Sequence, residues 1–224
     1  MSARTKDDAW GTPATDEPRW PASVAVLIAA AVNFTLPARY TLGPSWLVPI
    51  LVLAILIPLT IVAPRRVPGE SRARQAAGMI VIALVNIANI GSLALLVHRL
   101  VFNGKTINGS ELLYSSAGIW LTNVIVFALW YWELDRGGPD ERLKRQHTAP
   151  DFLFPQMVTP GCTHAHWSPN FIDYAYVAFT NATAFSPTDT MPLTPTAKML
   201  MLVQSIASLL TITLVAARAV NILN

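Results

Sequence analysis

The chain has 224 residues, of which 53% are apolar and only 13% charged, with a formal net charge of +3 and a mean hydropathy of +0.43. That balance excludes an ordinary water-soluble domain, and the lack of a dense basic patch excludes a nucleic-acid partner. It describes an integral membrane protein, with the lipid bilayer as its first partner.

Residues 1–20 mix Arg4 and Lys6 with Asp7, Asp8, Asp16, Glu17 and several prolines. They hold no apolar segment of the signal-peptide kind and are expected to form a disordered cytoplasmic tail. Trp20, just ahead of the first apolar run, is expected to anchor at the interface.

A helix needs about 20 apolar residues to cross a bilayer core. Four runs meet or nearly meet that length: Ser45–Ala63, Ala76–Phe102, Leu112–Leu134 and Thr196–Leu223. A fifth, Ala22–Leu42, is interrupted by Asn33, Pro37 and Arg39. The expected fold is an all-α integral membrane protein with five transmembrane helices, four of them within residues 21–134.

Asn86 and Asn89 stand one turn apart in the third run and are followed by Gly91 and Ser92. Small and amide residues hold membrane helices together, and the alternative is a polar path shared with Asn123. The fourth run closes on Trp130, Tyr131, Trp132 and Glu133, which reads as an aromatic belt with a charge at the water edge.

Lys and Arg concentrate on cytoplasmic loops. One loop carries Arg65, Arg66, Arg72 and Arg74, another carries Arg136, Arg142, Lys144 and Arg145, and two spans separate them. Arg4, Lys6, Arg19 and Lys198 fall on the same side, which leaves Arg39, Arg99, Lys105 and Arg218 on or near the other. A multi-pass cell-membrane protein with a cytoplasmic N-terminus is expected.

Residues 135–170 contain no run long enough to recross the bilayer, so they form a connection on the cytoplasmic side. Phe152, Leu153 and Phe154 are expected to lie as a flap against the bilayer or the spans. Cys162, His164 and His166 alternate so that an extended segment would turn all three to one side, a weak zinc or copper pattern that His147 or Asp151 would complete. Such spacing arises easily in a polar loop, and no metal or cofactor is expected. Cys162 is the one cysteine, so no intrachain disulfide forms.

Residues 171–224 are expected to form a pore-like module. Phe171–Ala182 suits a helix of about 12 residues, roughly 18 Å long, too short to span and therefore re-entrant. Its C-terminal dipole would favour a monovalent cation near Thr183 to Ser186. The hydroxyls of Thr183, Ser186 and Thr188 and the carboxylate of Asp189 would supply oxygen contacts, provided several chains surround an axis. Ser186-Pro187-Thr188-Asp189 also reads as a plain helix-capping sequence, and Thr194-Pro195 repeats that signal for the last span. Along that span Gln204, Ser208, Thr211, Val215 and Arg218 share one helical face, suited to a pore wall or to helix–helix hydrogen bonding.

Phe171, Asp173, Tyr176, Asp189, Pro192 and Thr194 match, without gaps, positions of the pore-loop module of potassium channels, which this region resembles; Lys198 replaces an arginine. Where that family has its glycine-bearing filter, this chain has Ala184, Phe185, Ser186, Pro187 and Thr188. Without glycines, and with a proline, a potassium-type ladder of carbonyls is not expected. The charges also bring the loop in from the cytoplasmic side, as in ionotropic glutamate receptors rather than potassium channels.

Asp173 with Tyr176, Phe179-Thr180, Thr188-Asp189-Thr190 and Ala217 to Asn221 resemble in addition a family of uncharacterised bacterial integral membrane proteins, a domain of unknown function. Both resemblances cover about the last quarter of the chain. The uncharacterised family has no settled activity and supports the fold more than any function, whereas the pore-loop resemblance implies a channel-like homo-oligomer, a tetramer if it conducts. Thr183, Ser186, Thr188 and Asp189 would touch the ion, with Gln204, Ser208 and Thr211 below. The alternatives are a non-conducting membrane scaffold or interaction protein and a small-solute transporter. No arrangement of catalytic residues appears, and enzymatic activity is not expected.

Overall fold

The computed structural model describes residue 18 and residues 20–62, 72–103, 108–142, 149–159, 167–183 and 189–223. Most of these residues are helical. In chain order come α1 (Trp20–Thr35), a 3-10 turn (Ala38–Tyr40), α2 (Leu47–Val62), α3 (Arg72–Asn103) and α4 (Gly109–Leu134). A second 3-10 turn (Asp135–Gly137), α5 (Pro139–Arg142), β1 (Phe152–Leu153), α6 (Pro155–Val158), α7 (Phe171–Thr183), β2 (Met191–Pro192) and α8 (Pro195–Leu223) follow.

The stretches Gln75–Phe102, Gly109–Gly137 and Pro195–Ala216 are long and apolar enough to cross a membrane. Helices α1 and α2 are also apolar, but each has 16 residues and reaches only about 24 Å. The expected run Ala22–Leu42 therefore needs correcting. Pro37 lacks an N–H and pushes the residue before it out of helical backbone, so α1 ends at Thr35 and Ala38–Tyr40 form a separate turn.

Helix α4 is the hub, with α1, α3, α7 and α8 all packed directly on it. Helix α1 comes close because it presents Ala22, Ala25, Ala29 and Ala30 inward while Val24, Leu27, Ile28 and Phe34 face out. Across from it, a side chain at Gly118 of α4 would put its Cβ 3.0 Å from Val32 Cγ1. Glycine is what permits that approach.

The bundle has two distinguishable ends. At one, where α4 starts, Asn108 caps α4 by accepting from the Ser110 N–H at 3.0 Å. Arg39 there pairs with Glu111, and Arg99 donates to the Arg39 carbonyl at 3.1 Å. At the other end, beyond Leu134, the backbone turns through positive φ at Arg136 (57°), Gly137 (79°) and Gly138 (101°).

Helix α7 starts at this second end and runs down α4 in the opposite direction. Phe171 packs edge-on against Trp132 with ring centroids 6.0 Å apart, and Phe179 against Trp120 at 5.8 Å. Trp120 lies about 18 Å from Trp132 along α4, near that helix's midpoint. The chain then returns to where α7 began. Met191 and Pro192 pair antiparallel with Leu153 and Phe152, and the Leu193 N–H donates to the Asp151 carbonyl at 2.8 Å. Thr194 caps α8, accepting from the Ala197 N–H at 3.3 Å, with Pro195 at the first helical position as Thr194-Pro195 predicts.

Candidate functional site

Two polar clusters hold α7 in place. The first lies between the interiors of α4, α7 and α8 and centres on Gln204, which is fully buried. Its Nε2 donates to the Ala178 carbonyl in α7 at 2.8 Å. Its Oε1 accepts from Tyr131 Oη of α4 at 2.5 Å and from Asn181 Nδ2 of α7 at 2.7 Å. Asn181 also donates to the Met201 carbonyl at 3.0 Å, and its Oδ1 accepts from Ser205 at 3.1 Å. One turn further along α8, Ser208 Oγ accepts from Asn123 Nδ2 at 2.9 Å.

An amide carries two donors and an acceptor with two lone pairs. Gln204 and Asn181 direct theirs largely to each other's helices. In an apolar surrounding, each unmatched group would cost about 1–3 kcal/mol, so the cluster selects one docking of α7 and no other.

The second cluster closes the end of α4. Asp135, Arg136 and Arg142 are each at most 1% exposed. Asp135 Oδ1 accepts from the backbone N–H groups of Asp151 (2.8 Å) and Phe152 (3.3 Å). Its Oδ2 accepts from Tyr174 Oη at 2.6 Å and lies 3.5 Å from Arg136 Nε. Asp151 reciprocates, with Oδ2 taking the Arg136 N–H at 3.0 Å and Oδ1 taking the Thr194 hydroxyl at 2.5 Å. Arg142 Nη1 donates to the last-turn carbonyls of Trp132 and Asp135 at 2.8 and 2.9 Å, while its guanidinium lies 5.4 Å from the Tyr174 ring centre. A cation over the carbonyl end of α4 also complements the helix dipole.

Burial holds the Tyr174 phenol well above its usual pKa, with Arg142 pulling the other way, so it stays a neutral donor to Asp135. The cluster ties four pieces together: the end of α4, the 149–159 segment, the first turn of α7 and the cap of α8. Phe152 and Phe154 seal it against Tyr131 and Tyr174, at ring separations of 5.0 and 5.5 Å.

Gln204, Ser208 and Thr211 do share one face, and that face is buried against the rest of the chain. Thr211 Oγ1 donates to the Ala207 carbonyl of its own helix, and Val215 is half-buried. Outward, α8 shows Met199, Leu202, Val203, Ile206, Leu209, Leu210 and Ile212. Thr183 Oγ1 turns back to the Phe179 and Thr180 carbonyls of α7, each at 3.1 Å. Asp189 is exposed, two residues before β2, at the Asp135 end. Ser186 and Thr188 lie outside the described residues, as do Cys162, His164, His166, His147 and the Arg218 side chain. Among the described residues no cluster of His, Cys, Asp or Glu has the makings of a metal centre.

Two expectations change. Tyr131, Trp132 and Glu133 are buried rather than exposed at a water edge, because α7 and the 149–159 segment cover the end of α4. Arg136 and Arg142, read as loop cations, are interior groups. Their signal in the sequence is the close run of Glu133, Asp135, Arg136 and Arg142 around a Gly-Gly pair, with Asp151 shortly after. No protein-family model, curated protein or solved structure matches this chain.

Proposed function

We propose that the chain is a five-span membrane protein with a re-entrant α7, acting as a non-conducting scaffold or interaction protein rather than as an ion pathway. The carrying observation is that Gln204 is consumed inside the chain, shared between Ala178, Asn181 and Tyr131. A pore lined by the polar face of α8 needs that face turned to an axis. A symmetric assembly around α8 would instead place Leu202, Ile206 and Leu209 there. Those large aliphatic residues suit contact with acyl chains, whereas close helix contacts between chains favour small residues.

The re-entrant reading rests on α7 beginning beside Trp132, ending beside Trp120 and returning to pair β2 with β1. Asp189 then stands near the entry of the loop instead of at membrane depth, where a carboxylate would cost about 2.5–3.5 kcal/mol. The basic residues of the two loops other than the interior Arg136 and Arg142 support a cytoplasmic position for this end. A transporter path through Asn123 is less favoured, since that amide is spent on Ser208 and the Gln204 carbonyl.

Purified protein reconstituted into vesicles tests the reading. Sodium and potassium flux should match protein-free vesicles under imposed voltage and pH gradients, and Asp189→Asn should change nothing. Flux that rises with protein content and falls in Asp189→Asn restores the cation channel.

A further inference from the structure

At the end of the bundle where α4 starts, α3, α4 and the Ala38–Tyr40 turn meet over a small core of Leu36, Tyr40, Leu93, Leu96 and Leu112. Two arginines stand over it. Arg39 pairs with Glu111, so its charge is matched within the chain. Arg99 has no such match. Its Nε donates to the Arg39 carbonyl at 3.1 Å, and its Nη1 and Nη2 have no acceptor among the described residues. That tie orients the planar guanidinium and leaves the edge opposite Cδ with two parallel N–H donors. Arg99 lies in the last turn of the apolar stretch Gln75–Phe102, with Val101 and Phe102 exposed beside it. At that depth hydrocarbon gives way to headgroups, and a long cationic side chain reaches toward the phosphate layer.

We infer that Arg99 holds the phosphodiester of a membrane phospholipid, with N–H···O bonds running from its Nη1–Nη2 edge to two phosphate oxygens. Charge complementarity favours this occupant. The Arg39–Glu111 pair is neutral as a unit, so among the described residues of this end Arg99 is the arginine left without a carboxylate, and one phosphodiester neutralises it. The guanidinium fork matches the phosphate oxygens in spacing as well as in charge. The acyl chains also find a surface. On the flank of α3 below Arg99, half-buried Leu95 lies one turn away, and exposed Leu42 packs over Gly91 a turn further on. The site needs α3 and α4 to be inserted in a bilayer. It depends neither on conduction nor on which face this end meets.

The test is native mass spectrometry of the full chain in detergent, titrated separately with dioleoylphosphatidylglycerol, with dioleoylglycerol, which lacks the phosphate, and with inorganic phosphate. The unaltered protein should bind its first phosphatidylglycerol about 5- to 30-fold more tightly than dioleoylglycerol, less than a fully buried charged hydrogen bond would give because the site is partly exposed. Arg99→Gln should lose that advantage, whereas Arg145→Gln, in the loop after α5, should keep it. Arg99→Lys retains the charge without the planar fork and should recover only part of it. Inorganic phosphate should not displace the lipid at equal concentration. The comparison of the two lipids on the unaltered protein needs no variant to fold. Equal affinity for both lipids, or full phosphatidylglycerol affinity in Arg99→Gln, would overturn the inference. Displacement by inorganic phosphate would also overturn it, in favour of a soluble-anion site.

Discussion

Gln204 in the middle of α8 donates to the backbone carbonyl of Ala178 in the middle of α7 at 2.8 Å. A helical carbonyl keeps a lone pair after serving its own helix, and the alanine side chain leaves room to reach it. The bond joins two helix interiors rather than a loop and a helix. It therefore fixes how deep α7 sits against α8.

Gln204→Leu keeps most of the volume but takes the acceptor from the Tyr131 hydroxyl and one of the two acceptors from the Asn181 amide. The loss should be about 1–3 kcal/mol, read as a lower midpoint of thermal unfolding in detergent. Asn181→Leu in the same background should add less than it costs alone, since the two amides share one network. Full additivity would mean that they act separately.

Asp135→Ala should be the more damaging change, about 3–5 kcal/mol, because it leaves Arg136 and the Asp151 and Phe152 N–H groups unmatched in a buried setting. Asp135→Asn retains an acceptor oxygen and should cost less. Limited proteolysis within residues 149–159 should accelerate in the alanine variant. Unchanged cleavage would show that the segment is held by its phenylalanines alone.

Two glycines should respond to different degrees. At Gly138 φ is +101°, and an added Cβ would lie 2.8 Å from the Glu133 backbone oxygen, so Gly138→Ala should cost about 1–3 kcal/mol. At Gly91 the added Cβ would meet Leu42 Cδ1 at 2.2 Å and Cγ at 2.5 Å, so the whole Leu42 side chain must rotate away. Leu42 is 46% exposed, however, and its side chain can swing outward. Gly91→Ala should therefore cost less than Gly138→Ala, about 0.5–1.5 kcal/mol for the displaced Leu42 rotamer, in the same unfolding measurement.

The Arg39–Glu111 pair has side chains 42% and 21% exposed. Solvent screening limits it to at most about 1 kcal/mol, and the contribution of Arg39→Ala should shrink with added salt. Arg142→Ala, at the buried end, should cost more and show little salt dependence.

The long helices are legible because their apolar runs are continuous, and α7 because Phe171–Ala182 is a short apolar run that a polar, proline-bearing stretch ends. Gln204, Ser208 and Thr211 could be placed on one face, yet periodicity gives no direction for that face to point. Its direction follows from α4, whose Tyr131 and Asn123 meet it from a distant part of the chain. Arg136 and Arg142 were unreadable for a related reason. Counting basic residues to orient a membrane protein treats each as solvated, and only the fold brings Asp151 and Tyr174 close enough to bury Asp135 and the two arginines.

The central claim, that α7 enters and leaves by the same face of the membrane, is tested by cysteine accessibility. With Cys162 replaced by serine, single cysteines at Asn170 and at Asp189 flank the helix on its two sides. In oriented vesicles a membrane-impermeant maleimide should label both from the cytoplasmic face and neither from the opposite one. Labelling of Asn170→Cys and Asp189→Cys from opposite faces would contradict the account.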